Sequence, residues 1–208
     1  MFEPLRGVGA ALAELDRWPS LEDYNALLNP RIHTASGAAL NFVPQAGKPA
    51  HREEKYEARI YLHGEVQTRK ENWHDLFNAL VWLAFPRTKT ALNARHFESI
   101  AQSAGEGNRD KNQDALTLFD ESGVVVLYAD DEMANLLQGF HWHELFWEER
   151  KSVNERMKFV VFGHSLYEKA LKPYIGFTGK GLLIKVEERF FVQATETLLE
   201  NICREARY

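Results

Sequence analysis

The 208-residue chain contains one cysteine, Cys203, and that scarcity closes several routes at once. No intrachain disulfide can form, and no multi-cysteine zinc site can be built. Without a disulfide framework a reducing cytosol is the simplest home, so a cytoplasmic location is expected. Long apolar runs are missing too. The longest are Val124 to Ala129 and the interrupted stretch Leu76 to Pro86, well short of the roughly 20 residues that cross a bilayer. Met1 to Arg6 lacks the basic start and apolar run of a signal peptide, so neither a leader nor a membrane span is expected. Positive charge is not in excess either. With 25 Lys and Arg against 30 Asp and Glu, the net charge is −5 and the pI about 5.9. Nothing pulls the whole chain toward nucleic acid or anionic lipid. There is no internal repeat and no low-complexity tract.

What is present suits one compact domain. Apolar residues make up 45% and charged residues 26%, ample for a packed core, and 208 residues fit one domain better than two. Two short helices are predicted within residues 2–29. Leu5, Val8, Leu12 and Leu15 recur at helical spacing, and Ser20 with Asp23 forms a capping box ahead of Leu21, Tyr24 and Leu28. A strand follows at Leu40 to Val43, then a turn-rich loop from Pro44 to Glu54. Alternating Tyr56, Ala58, Ile60 and Leu62, broken at His63-Gly64 and resumed at Val66, predict a β-hairpin.

Asn72 to Phe85 is the clearest helix, with Trp73, Leu76, Phe77, Leu80, Val81 and Ala84 on one face and apolar bulk elsewhere, so it is expected at the centre. Pro86 ends it, and a second helix is predicted from Lys89 to about Ser103. After a polar loop at 105–113, Leu116, Leu118 and Val124 to Leu127 suggest two strands joined by a turn at Asp120-Glu121-Ser122-Gly123. Asp130 to Met157 is predicted helical with a break at Gly139, and Phe159 to Phe162 as a strand. Ser165 and Glu168 read as a capping box opening a helix that runs to Pro173. Gly176, Gly179 and Gly181 precede a strand at Leu182 to Val186, and an amphipathic helix spans 188–206. Paired strands without strict alternation give an α+β fold, a small and mostly antiparallel sheet packed against several helices.

Four polar groups could carry chemistry. His74 and Asn78 lie one turn apart at the margin of the apolar helix, where side chains can point into a cleft from a rigid support. Asn93 and His96 share a face of the next helix. Asp120 and Glu121, placed in a turn, suit a divalent metal or a general base. His164, in Phe162-Gly163-His164-Ser165, sits between a strand and a helix, where a sheet opens its mouth. Each has a plainer reading as a cap, a turn or a solvated polar residue. Other matches fail outright. Ser165 lacks the Gly-x-Ser-x-Gly of a nucleophile elbow. The stretch Thr178-Gly179-Lys180-Gly181 has Tyr174 and Gly181 where a phosphate loop needs Gly and Ser or Thr. His141 and His143, two apart on a helix, cannot share one ion.

The run Trp73-His74-Asp75-Leu76-Phe77-Asn78-Ala79-Leu80-Val81-Trp82, followed by Phe85-Pro86, Lys89, Leu92-Asn93 and His96, resembles the core of the DUF 3025 family of uncharacterised bacterial proteins. Leu116 to Gly123, Phe162 to Lys169 and Thr178 to Lys180 fit the same pattern, so the resemblance spans about residues 42–183. It implies no activity, and it places His74, Asn78, His96 and His164 within signature motifs.

Two kinds of function fit these residues. One is a metal-dependent hydrolase of a phosphate-bearing or other small anionic substrate. There His74, His96, His164, Asp120 and Glu121 hold a divalent ion, and His74, Asn78, His96 and His164 do the chemistry. The other is a binding or assembly protein whose His and Asn side chains form a structural hydrogen-bond network. A nucleic-acid role would need Arg87, Lys89, Arg95, Arg109 and Lys111, and the acidic balance disfavours it.

Overall fold

The computed structural model describes residues 1–47, 51, 54–102 and 111–192. Its first helices are α1 (Arg6–Ala13) and α2 (Leu21–Leu27), the latter opened by the Ser20–Asp23 capping box. Strand β1 (Asn41–Pro44), helix α3 (Tyr56–His63) and strand β2 (Glu65–Thr68) follow, with β1 and β2 paired in parallel. Then come α4 (Trp73–Ala84), α5 (Pro86–Gln102) and α6 (Lys111–Ser122), the last running straight into β3 (Gly123–Tyr128). Helices α7 (Asp131–Gln138) and α8 (Arg150–Arg156) flank a π-helical turn at Glu144–Glu148. The remaining elements are β4 (Met157–Val161), α9 (His164–Ala170), β5 (Lys180–Lys185) and a 3₁₀ turn at Glu188–Val192. The second sheet has the order β4-β3-β5.

The fold is α+β, with α4 at its centre. Leu76, Phe77, Ala79, Leu80, Val81, Trp82 and Leu83 are all buried, so the helix is packed on nearly every side. Phe77 stacks on Tyr167 of α9 at 5.8 Å, and Phe162 meets Phe85 at 5.6 Å. Trp73 departs from the expected core face. It is 47% exposed and packs edge-on against Trp18 at 4.8 Å, at the rim of the core, while Asp75 and Leu76 of the same turn are buried. Pro86 both ends α4 and opens α5, the position where a missing N–H costs nothing. None of the described helices is long and apolar enough to cross a membrane.

Several expectations change. The Tyr56–Thr68 hairpin is a helix followed by a strand. Gly64 is no hairpin turn; it is the C-cap of α3 at φ 71°, its N–H bonded to Ile60 O at 2.8 Å. A left-handed glycine at that point is the usual way to stop a helix, and any Cβ there would lie 2.0 Å from Ala39 O. Strand β2 consequently pairs with β1 and not with the segment before it. The sheets are also less antiparallel than expected: β3–β4 is antiparallel, while β1–β2 and β3–β5 are parallel.

The predicted strand at Leu116 and Leu118 is part of α6. Gln113, Leu116, Thr117 and Asp120 turn inward at helical spacing while Leu118 is exposed. Asp120 and Glu121 therefore sit in the last turn of a helix. Helix α9 begins at His164 with Gly163 as its N-cap, so Ser165 caps nothing. The predicted helix at 188–206 begins as the 3₁₀ turn, and its residues 193–206 lie outside the described residues, as do 105–110 of the predicted polar loop.

Candidate metal centre

Two glycines bring the site together. A Cβ on Gly123 would lie 2.4 Å from Phe119 O, and one on Gly163 would lie 2.4 Å from Gly123 N. Backbone contact this close is available only to glycine. It presses the C-terminal turn of α6 against the first turn of α9, and α4 packs beside α9. Glu121, His164 and His74 meet as a result.

Nε2 of His74 lies 3.0 Å from Nε2 of His164, and Oε1 of Glu121 lies 3.8 Å and 3.7 Å from them. The middle of that triangle is about 2 Å from all three atoms, the bond length of a zinc ion to imidazole or carboxylate. Among the described residues these three form the one group of side chains close enough to share an ion. His164 is buried, while His74 and Glu121 are partly open.

The outward atom of each of these three side chains is held. Nδ1 of His164 donates to the Asp120 carbonyl at 2.9 Å, which fixes its tautomer and leaves a lone pair on Nε2. Nδ1 of His74 faces Oε2 of Glu168 at 3.1 Å, so it too can donate outward and free Nε2. The Ser165 hydroxyl donates to Oε2 of Glu121, leaving Oε1 to the centre. Carboxylate or carbonyl support behind each histidine is the usual outer shell of a metal site. Burial, followed by the charge of Lys89, pushes His164 down to about 4, so the ring is neutral and ready to ligate at neutral pH. With both Nδ1 atoms donating outward, two lone pairs face each other across 3.0 Å. A cation between them, or a second proton on His74, resolves that repulsion.

Asp120 and His96, expected among the ligands, lie outside this group. Neighbouring positions on a helix point about 100° apart, so Glu121 turns toward the two histidines while Asp120 turns toward Lys89. Asp120 instead accepts from Lys89 Nζ at 2.7 Å and 2.9 Å. Burial raises the Asp120 carboxyl, but the charge and hydrogen bonds of Lys89, together with His164 and His96, outweigh it and hold the group below its usual range. Lys89 also donates to Asn78 Oδ1 at 3.0 Å, and Asn78 Nδ2 donates to the Tyr56 hydroxyl at 2.7 Å. His96 is buried on α5.

His74, Asn78, His96, Asp120, Glu121 and His164 all line one cleft of about 850 Å³, with Tyr56 and Lys55 on its wall. Arg69 on the same wall grips Asp75 through two nitrogens at 2.9 Å and 2.8 Å. The sequence did not single out Tyr56, Ser165 or Glu168 as members of the site. The spacing of His164 and Glu168, one turn apart on α9, was the available signal. Ser165 is no triad nucleophile, since its Oγ and Glu168 address the same His74 nitrogen, and a triad needs both.

Neither curated proteins nor solved structures offer a match to this chain. A family model described as "Protein of unknown function (DUF3025)" matches residues 40–205, all but the first 39 and the last three residues, and the chain belongs to that family.

Proposed function

We propose that the protein is a metal-dependent hydrolase in which His74, Glu121 and His164 hold a single divalent ion at the edge of the cleft. The observation that carries this reading is the outer shell: all three ligands have their far atoms held by Glu168, Ser165 and the Asp120 carbonyl. Two His and one Glu leave an ion room for water, as in hydrolytic zinc sites. Such an ion would acidify that water and polarise a substrate carbonyl or phosphoryl oxygen. The attraction for an anionic substrate rests on the ion and on Lys55, because Arg69 and Lys89 are already matched by Asp75 and Asp120.

The competing reading is a structural network in a binding or assembly protein. A doubly protonated His74 between Glu168 and His164 would satisfy every ring nitrogen without a metal, and the 3.0 Å ring contact supports it.

Metal analysis of untagged protein separates the two. The expected result is one equivalent of zinc or a similar divalent ion per chain. It is lost in His74→Ala and His164→Ala while circular dichroism is unchanged. Chelator-sensitive cleavage of p-nitrophenyl phosphate or p-nitrophenyl acetate should accompany it. Folded, metal-free wild-type protein would favour the network, and bound iron with oxygen consumption would replace hydrolysis by the oxidative chemistry that two His and a carboxylate also support.

A further inference from the structure

We infer that Tyr56 is the electrophilic partner of this centre, its phenol O–H donating to the substrate oxygen on which negative charge builds. The inference rests on the metal reading above.

Three observations carry it. First, the Tyr56 hydroxyl accepts from Asn78 Nδ2 at 2.7 Å, so its own proton is not used in that bond. Among the described residues it has no acceptor, and Tyr56 lines the same cleft as His74, Glu121 and His164. Second, the chain behind it runs in one direction. The Lys89 ammonium donates to Asn78 Oδ1 at 3.0 Å, and Asn78 donates to Tyr56. Each donor in such a chain is strengthened by the one before it, and a buried ammonium heads this one. Third, placement suits the role. Asn78 stands one helical turn from His74 on α4, about 5–6 Å between Cβ atoms, and Lys89 bridges Asn78 to Asp120, the residue next to Glu121. The cleft that holds the candidate centre thus also holds a neutral phenol donor. Burial holds the Tyr56 phenol well above its usual titration range, so it stays protonated. Preorganised donors aimed at developing charge are among the largest contributors to catalysis.

The test uses cobalt-loaded protein and acetohydroxamate, a small oxyanion that binds metal centres, followed by visible absorption. Tyr56→Phe should bind cobalt with unchanged stoichiometry but acetohydroxamate about 10-fold more weakly, the loss of one hydrogen bond to a charged oxygen. Replacing Tyr56 by 3-fluorotyrosine, a more acidic phenol of nearly the same size, should tighten binding, and it serves if Tyr56→Phe does not fold. Equal acetohydroxamate affinity across wild type and these variants overturns the role. A wild-type chain that takes up no cobalt overturns the metal centre itself, and this role with it.

Discussion

Replacing Lys89 by Met tests the link between the core and the site. Lys89 is 4% exposed, and its ammonium lies 2.7 Å from Asp120, 3.0 Å from Asn78 and 5.2 Å from the Trp82 ring centre. Methionine keeps most of the stem and removes the charge, leaving the Asp120 carboxylate buried without a partner. Breaking a buried pair from one side costs about 3–5 kcal/mol, a large share of the roughly 5–15 kcal/mol that holds a domain folded. Urea unfolding should show that loss with an unchanged slope. The double variant Lys89→Met with Asp120→Leu should recover most of it, because no uncompensated charge remains. The pH dependence has opposite signs. In the wild type the Asp120 carboxyl sits below its unfolded value, so its contribution is present above about pH 4 and is lost as pH falls further. In Lys89→Met burial, the largest single cause, loses its main opponent and raises the carboxyl, so the penalty is fully present at neutral pH and is relieved on acidification. The two stability curves should therefore converge as pH drops. A single variant costing under about 1 kcal/mol, or a double variant no better than the single, would refute the argument.

Two further outcomes follow from burial. Phe77→Ala should lower stability by about 3–5 kcal/mol in urea unfolding, the usual cost of deleting a buried ring, since Phe77 is 5% exposed between Trp73 and Tyr167. In metal-free protein, the neutral His164, pushed down to about 4, should make stability fall between about pH 6.5 and pH 4, where the unfolded chain takes up the proton first. The shift corresponds to about 3 kcal/mol, and thermal melts of His164→Gln should lack that acid limb.

The parts of the structure legible in the sequence are those set within a few turns of chain. Helix α4, its end at Pro86, the capping box at Ser20 and the nearness of His74 to Asn78 all follow from 3.6-residue spacing and backbone limits. The misreadings arose where local pattern is ambiguous. Tyr56 to Leu62 alternates like a strand yet forms α3, because Gly64 stops a helix there and β2 finds its partner in β1, far back in the chain. Asp120-Glu121-Ser122-Gly123 has the composition of a turn but closes α6, since Gly123 and Gly163 allow helix and strand to join at backbone contact. The types of residue in the candidate centre were visible as His74, His164 and Glu121. Their selection over His96 and Asp120 was not. His74 and His164 are separated by 90 positions, and no local periodicity relates them. Which carboxylate faces the histidines and which faces Lys89 depends on the rotation of α6 against α5 and α9. That rotation is set by core packing, a sum over many distant contacts that no short stretch of sequence contains.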